Sequence, residues 1–141
     1  MRKLPAEKLD QTWFLDIDGT IFKHRNNIQL DRWIKELKTK SHLKEELLAG
    51  VKEWLKKLSP KDSIILVTAR ERRHKAHTER ALKKFGIKFK HIIYGVNAGP
   101  RILINDIKPA ATNEMERDIE TAFAVNLKRD SGFKKIPLCF L

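Results

Sequence analysis

Four consecutive aliphatic residues, Ile64-Ile65-Leu66-Val67, follow a Ser59-Pro60 break and run straight into Thr68-Ala69-Arg70. As a strand this run has no polar side to offer water, so it belongs in a sheet covered on both faces. Strands that alternate with helices and lie parallel meet that condition. The rest of the chain has the matching rhythm. Thr12-Trp13-Phe14-Leu15 is a compact, β-prone run ending at Asp16. His91-Ile92-Ile93-Tyr94, Ile102-Leu103-Ile104 and Ala122-Phe123-Ala124-Val125 are three more. Leu30, Trp33, Ile34 and Leu37 are spaced i, i+3, i+4, i+7, which predicts a helix. A second helix is predicted through Leu47, Leu48, Val51, Trp54, Leu55 and Leu58, ending ahead of Pro60. A third runs from Glu71 to Phe85 and stops at Gly86. Residues 21–29 read as an irregular loop or small hairpin, with Asn26-Asn27 as the turn. The expected fold is α/β, a mostly parallel sheet with helices on both faces.

A chain of 141 residues suits one domain, 1–141, with a core over about 12–130 and a tail at 131–141. That tail is apolar enough to pack on the body or on another subunit. No apolar run approaches the ~20 residues of a membrane span. The polar lead-in 1–11 has no apolar stretch of the kind a secretory signal needs. The single cysteine, Cys139, cannot form an internal disulfide, so a reducing, cytoplasmic setting without a membrane partner is expected. Thirty Lys and Arg against eighteen Asp and Glu leave a net charge of +12. Such a field attracts anions, whether phosphorylated metabolites, nucleic acid or an anionic surface. Residues 70–90 carry nine of the basic residues and only two Glu, which reads as a solvated helix face. His74 and His77, one helical turn apart within it, are expected to face solvent, and Trp13, Trp33 and Trp54 to lie in the core.

In open α/β sheets reactive groups gather at the carboxyl ends of strands. Those ends carry Asp16 and Asp18, then Thr68 and Arg70, then Asn105 and Asp106. Carboxylates, a hydroxyl and a cation on one rim form a set suited to phosphoryl transfer. Asp16-Ile17-Asp18-Gly19-Thr20 after an apolar strand resembles the first motif of the haloacid dehalogenase-like phosphohydrolases. Ile65-Leu66-Val67-Thr68-Ala69-Arg70 resembles the second motif of that superfamily, and Ile102-Leu103-Ile104-Asn105-Asp106 the fourth. The motifs run in family order from residue 12 to about 109. The resemblance implies a Rossmann-like core of the small, capless type. Roughly two dozen residues separate Thr20 from the helix near Leu47, and one helix and one strand separate Arg70 from Arg101. Neither gap holds a full cap, so the site should be open, or covered by a neighbouring subunit in a homo-oligomer.

The resemblance also implies roles. Asp16 is the nucleophile that forms an aspartyl phosphate, and Asp18 protonates the leaving alcohol and then activates water. Mg²⁺ is held by Asp16, the backbone carbonyl of Asp18, and Asp106. Thr68 donates its hydroxyl to the phosphoryl oxygens, with nearby backbone N–H groups assisting. Gly19 permits the sharp exit from the strand, and Thr20 orients the acid/base aspartate. Ala69, Arg70 and Asn105 complete the substrate side, although Arg70 is as readily read as a surface ion pair. Two positions depart from the family pattern. Asn105 stands where the fourth motif often has an aspartate. The cation of the third motif is either Arg101 or Lys108. Lys108 is preferred, because a guanidinium at the far end of a strand would have ~10 Å to span.

The activity this implies is Mg²⁺-dependent hydrolysis of a phosphomonoester on a small phosphorylated metabolite, such as a sugar phosphate or nucleotide. Two alternatives stand beside it. One is a phosphatase acting on polynucleotide ends through the basic surface. The other is a catalytically weak module on the same fold that binds phosphate or nucleic acid.

Overall fold

The computed structural model describes residues 9–37 and 44–141, so most of the expected lead-in, residues 1–8, lies outside the described residues. Its centre is a three-stranded parallel sheet in the order β1 (Thr12–Leu15), β2 (Ser63–Val67), β3 (His91–Ile93). Trp13 pairs with Ile64 and Leu15 with Leu66, while Leu66 pairs in turn with Ile92. Helix α1 (Asn27–Leu37) and helix α2 (Val51–Lys57) come between β1 and β2. A 3-10 turn (Arg72–His74) and helix α3 (Lys75–Lys84) join β2 to β3. The chain is a mixed α/β protein.

Local chemistry explains the boundaries. Asn26 Oδ1 accepts the N–H of Gln29 at 2.8 Å, and Gln29 Oε1 accepts that of Asn26 at 2.9 Å. This reciprocal capping box starts α1 where the sequence alone reads as a turn. At the end of α3, Gly86 N–H donates to the Lys83 carbonyl and Ile87 N–H to that of Leu82, closing a Schellman motif. The expected hairpin at residues 21–29 takes another form. Lys23 N–H donates to the Glu46 carbonyl at 3.0 Å and Leu48 N–H to that of Ile21 at 2.9 Å, so residues 21–23 pair with 46–48.

The strands have two unlike faces. Leu15 and Leu66 join Val51 and Trp54 of α2 and Leu82 of α3 in one core cluster. Both helices therefore pack on that side of the sheet. Phe14, Ile65 and Val67 point the other way, into a cavity of about 1320 Å³ that Leu103, Ala122 and Phe123 line from across. The two further strands expected at residues 102–104 and 122–125 are not formed, and β1 remains an edge strand. Ile102 and Ile104 are 85% and 92% exposed. Residues 105–121 bond among themselves instead. Lys108 and Ile119 exchange both backbone hydrogen bonds at 2.9 Å, and Asn105 Nδ2 donates to Thr121 Oγ1 at 2.8 Å. An apolar run sets β propensity, but pairing depends on a distant partner.

The tail packs on the body. Trp54 meets Trp13 edge-on at 4.7 Å and Phe133 at 5.1 Å, and its Nε1 donates to the Ile136 carbonyl. Gln11 Oε1 accepts the N–H of Phe140 at 2.9 Å. The docking depends on two glycines with left-handed backbone. A Cβ on Gly132 (φ 76°) would lie 2.1 Å from the Ala49 carbonyl oxygen, and one on Gly50 (φ 77°) 2.3 Å from that of Phe133. Neither can be built without moving backbone. Gly132→Ala is expected to destabilise the fold by about 2 kcal/mol or more. Urea unfolding should show it as a lower midpoint with an unchanged slope.

Candidate active site

Asp16 follows directly on β1, and its neighbours fold back in a tight turn. Thr20, Ile21 and Phe22 all donate their N–H groups to the Ile17 carbonyl, at 3.2, 2.9 and 3.0 Å. Gly19 (φ 83°) makes the reversal, its N–H donating to the Phe22 carbonyl at 2.7 Å. Its carbonyl accepts the N–H of Asp130 at 2.9 Å, which ties the turn to the start of the tail.

The two aspartates have separate environments. Asp16 keeps 39% of its side chain exposed at the edge of the cavity. Its Oδ2 accepts from Thr20 Oγ1 at 3.2 Å, and its Oδ1 lies 3.6 Å from the Arg101 guanidinium. Thr20 therefore orients Asp16, not the acid/base aspartate expected from the sequence. Burial pushes the Asp16 carboxyl above the usual range, outweighing Arg101, the Ile17 N–H and Thr20, while Asp18 adds to the rise. Asp18 turns inward. Arg70 holds both its oxygens, with Nε donating to Oδ2 at 2.9 Å and Nη2 to Oδ1 at 2.8 Å.

Of the two readings open for Arg70, the structure shows an ion pair, but inside the protein and not on its surface. Its side chain is 1% exposed, and its remaining nitrogen, Nη1, reaches Glu45 Oε2 at 2.7 Å and Thr78 Oγ1 at 3.0 Å. It acts as an internal tie between the first two motifs, with each of its three guanidinium nitrogens bonded within the protein. Thr68 is fully buried, and its hydroxyl oxygen accepts the N–H of Arg70 at 3.1 Å. The Ala69 carbonyl accepts from Asn27 Nδ2 at 3.1 Å, and Asn27 Oδ1 accepts the Glu71 N–H at 3.0 Å. The start of α1 thus clamps the loop after β2.

Of the third strand-end group, Asn105 lines the cavity beside Asp16 while Asp106 does not. Asn105 is bonded to Thr121, and the Asp106 carbonyl accepts the Thr121 hydroxyl. Lys108 and Asn105 line the same cavity as Asp16, but the cation beside Asp16 is Arg101. The ~10 Å span holds only for an extended strand between Arg101 and Asp106, which these residues do not form. Among the described residues no three of His, Cys, Asp and Glu gather closely enough to hold a metal. The donor chemistry fits Mg²⁺ in part, since the Asp16 carboxylate and the Asp18 carbonyl belong to one turn. Asp106 does not complete that set here.

Sequence reasoning missed the second layer of charge. Glu45 has a side chain 1% exposed and sits between Arg70, His77 Nε2 at 3.3 Å and Arg25 Nε at 3.6 Å. Burial raises its carboxyl, but the hydrogen bond from His77 and the charge and bond of Arg70 outweigh that and hold it below the usual range. Nothing in Lys44-Glu45-Glu46 distinguishes a buried acid from a surface one. The histidines expected in solvent also turn inward. His74 Nε2 meets Asp31 Oδ1 at 2.6 Å, and His77 packs edge-on against Trp33 at 4.9 Å. The charge pairs to Asp31 of α1 come from Arg73 and His74 in the 3-10 turn, while α3 itself meets α1 through His77 on Trp33 and buries Leu82 in the core.

No known family model, curated protein or solved structure matches the chain.

A raised carboxyl favours the protonated form in the fold, so ionised Asp16 costs stability once pH passes its ordinary range. Asp16→Asn is expected to raise the melting temperature at pH 7. The gain should vanish as pH falls below the ordinary aspartate range, where both states of the wild type carry the proton.

Proposed function

We propose that the chain is a phosphomonoester hydrolase in which Asp16 attacks phosphorus. The observation that supports this best is the position of Asp16. It is oriented by Thr20, lies 3.6 Å from a guanidinium, and opens on a cavity also lined by Lys108 and Asn105. A phosphate ester is anionic and repels a lone carboxylate, so a nucleophilic aspartate needs positive charge beside it. Arg101 supplies some of it. In the proposed reaction an Asp16 oxygen bonds to phosphorus as the ester oxygen leaves, and Asp18 protonates that oxygen. Asp18 then takes a proton from the water that cleaves the aspartyl phosphate, which restores Asp16.

The finer reading of the fold belongs to this proposal: a capless, Rossmann-like core similar to the haloacid dehalogenase-like superfamily. Its support is the meeting of the Asp-x-Asp-Gly-Thr turn with the Thr-Ala-Arg turn at the ends of adjacent parallel strands. Mg²⁺ is the cofactor in this reading, and Asp16 and the Asp18 carbonyl, which share one turn, would hold it, with Asp106 as the third ligand the resemblance implies but this arrangement does not bring to them. When bound it supplies charge that neutralises the phosphoryl oxygens. The substrate is a small phosphorylated metabolite such as a sugar phosphate or nucleotide. The net charge of +12 favours a second reading, a phosphatase of polynucleotide ends.

With Mg²⁺ the protein is expected to hydrolyse 4-nitrophenyl phosphate, and EDTA should abolish turnover. Asp16→Asn should lower kcat by ~10³-fold or more. Absence of turnover on any phosphoester would leave only a binding module. A steep loss of kcat/KM with salt would mark a polynucleotide end, and a shallow one a small metabolite.

A further inference from the structure

The reaction outlined above uses only one end of the cavity beside β1. Asp16, Thr20 and Arg101 meet there, at the carboxyl end of the strand, and Lys108 also reaches the cavity. The cavity continues along the strand to Gln11 and Thr12, roughly 13 Å away at about 3.3 Å per residue. Its volume is about 1320 Å³. Pockets for small ligands commonly span roughly 300–1,000 Å³. A phosphoryl group at Asp16 therefore leaves most of the space to the rest of the substrate.

The walls beyond the Asp16 end are largely apolar. Phe14, Ile65 and Val67 face in from the sheet, and Leu103, Phe123 and Val125 line the cavity with them. Phe14, Leu103, Phe123 and Val125 are each about half exposed, so the fold leaves them without a full cover of their own. Large apolar side chains left open together mark a place where something apolar binds. At the far end the Phe123 ring lies 5.1 Å from that of Phe140, which in turn lies 5.9 Å from Trp13.

Three polar side chains that reach the cavity are already engaged. Gln11 is bonded to Asp62, the Leu138 carbonyl and the Phe140 N–H. Asn105 is bonded to Thr121, whose hydroxyl also donates to the Asp106 carbonyl. A polyhydroxylated body laid over these groups gives up water without gaining a free partner among them, whereas a hydrocarbon body has no hydrogen bond to lose.

We propose that the substrate is a phosphate monoester of an apolar alcohol, its phosphate at Asp16 and Arg101 and its hydrocarbon chain laid along β1 toward Phe123 and Phe140. The inference rests on the phosphohydrolase reading and narrows its substrate to an amphiphilic monoester. The two ends of the cavity set the direction of binding, since the guanidinium attracts the anion and the apolar walls take the chain out of water. Hydrolysis breaks the ester bond at phosphorus and releases the alcohol and inorganic phosphate, with water supplying the oxygen that replaces the ester oxygen.

The test is kcat/KM with Mg²⁺ for butyl, hexyl, octyl and decyl phosphate, each held below its micelle concentration, beside glucose 6-phosphate. The values are expected to rise about threefold with each added methylene until the chain fills the cavity. Octyl phosphate should then surpass glucose 6-phosphate. Geranyl phosphate, with the carbon count of decyl phosphate, separates a prenyl chain from a straight one, and preference for either over the sugar phosphate supports the proposal. Phe123→Ser is expected to flatten the rise, and Val125→Asn should do the same if that variant fails to fold. A flat series, or preference for glucose 6-phosphate over all the alkyl and geranyl esters, would overturn the inference and leave the hydrolase reading standing. A rise that both variants leave unchanged also overturns it, because the chain then binds elsewhere. A wild type that turns over no phosphoester overturns both.

Discussion

The Arg70 guanidinium joins two turns that would otherwise meet only through neighbouring strand ends. From below 2% exposure it binds both oxygens of Asp18 in the turn after β1, one oxygen of Glu45 just ahead of the paired segment 46–48, and Thr78 on α3. Burying such a charge carries a large desolvation cost, which is offset only when every donor has a partner. Here each of the three guanidinium nitrogens has a partner, and burial that would lower the Arg70 pKa is outweighed by Asp18 and Glu45, which raise it. Removing Arg70 takes the shared cation from both Asp18 and Glu45, and losing such a buried pair typically costs about 3–5 kcal/mol. The arrangement contributes geometry more than net stability. It fixes Asp18 from the inside and leaves the adjacent Asp16 as the member of the pair that meets solvent.

That division follows from how the sheet is covered. α2 and α3 cover one face, and the tail closes over the edge through Trp13, Trp54 and Phe133. The tail can come that close only because Gly50 and Gly132 carry no Cβ at the point where backbone meets backbone. The opposite face opens on the cavity. The Asp16–Thr20 turn sits where these two regimes join. Asp130 anchors its inner side, and Arg101 reaches its outer side.

The readable parts of the chain were those whose signal is local. Leu30, Trp33, Ile34 and Leu37 mark α1 by period, Gly86 stops α3, and the β-branched run at 64–67 is a strand in any α/β setting. Asp16 and Asp18 stood out because a strand must end before a loop can present them. What could not be read was partnership. Ile102-Leu103-Ile104 is as apolar as β1, but whether it pairs depends on residues 105–121, which close on one another through Asn105, Lys108, Ile119 and Thr121. Arg70 and Glu45 look like surface charges in sequence, since a buried ion pair is made by two segments far apart in the chain. Asn26 and Asn27 read as a turn, yet one caps α1 and the other clamps the loop after β2.

The same partnering changes what the basic composition means. Asp18 and Glu45 are consumed by Arg70, while Asp62 binds the Gln11 N–H and Trp13 Nε1. Acids turned inward in this way leave the solvent-facing charge weighted further toward Lys and Arg than the sequence total implies, and an anion is drawn in by that field. Asp16 alone of these remains at the cavity, with a carboxyl that burial already inclines toward the neutral form. Positive charge beside Asp16 opposes that upward push and favours the ionised form that attacks, so in the proposed reaction the charge that orients the phosphate also supports Asp16 as the nucleophile.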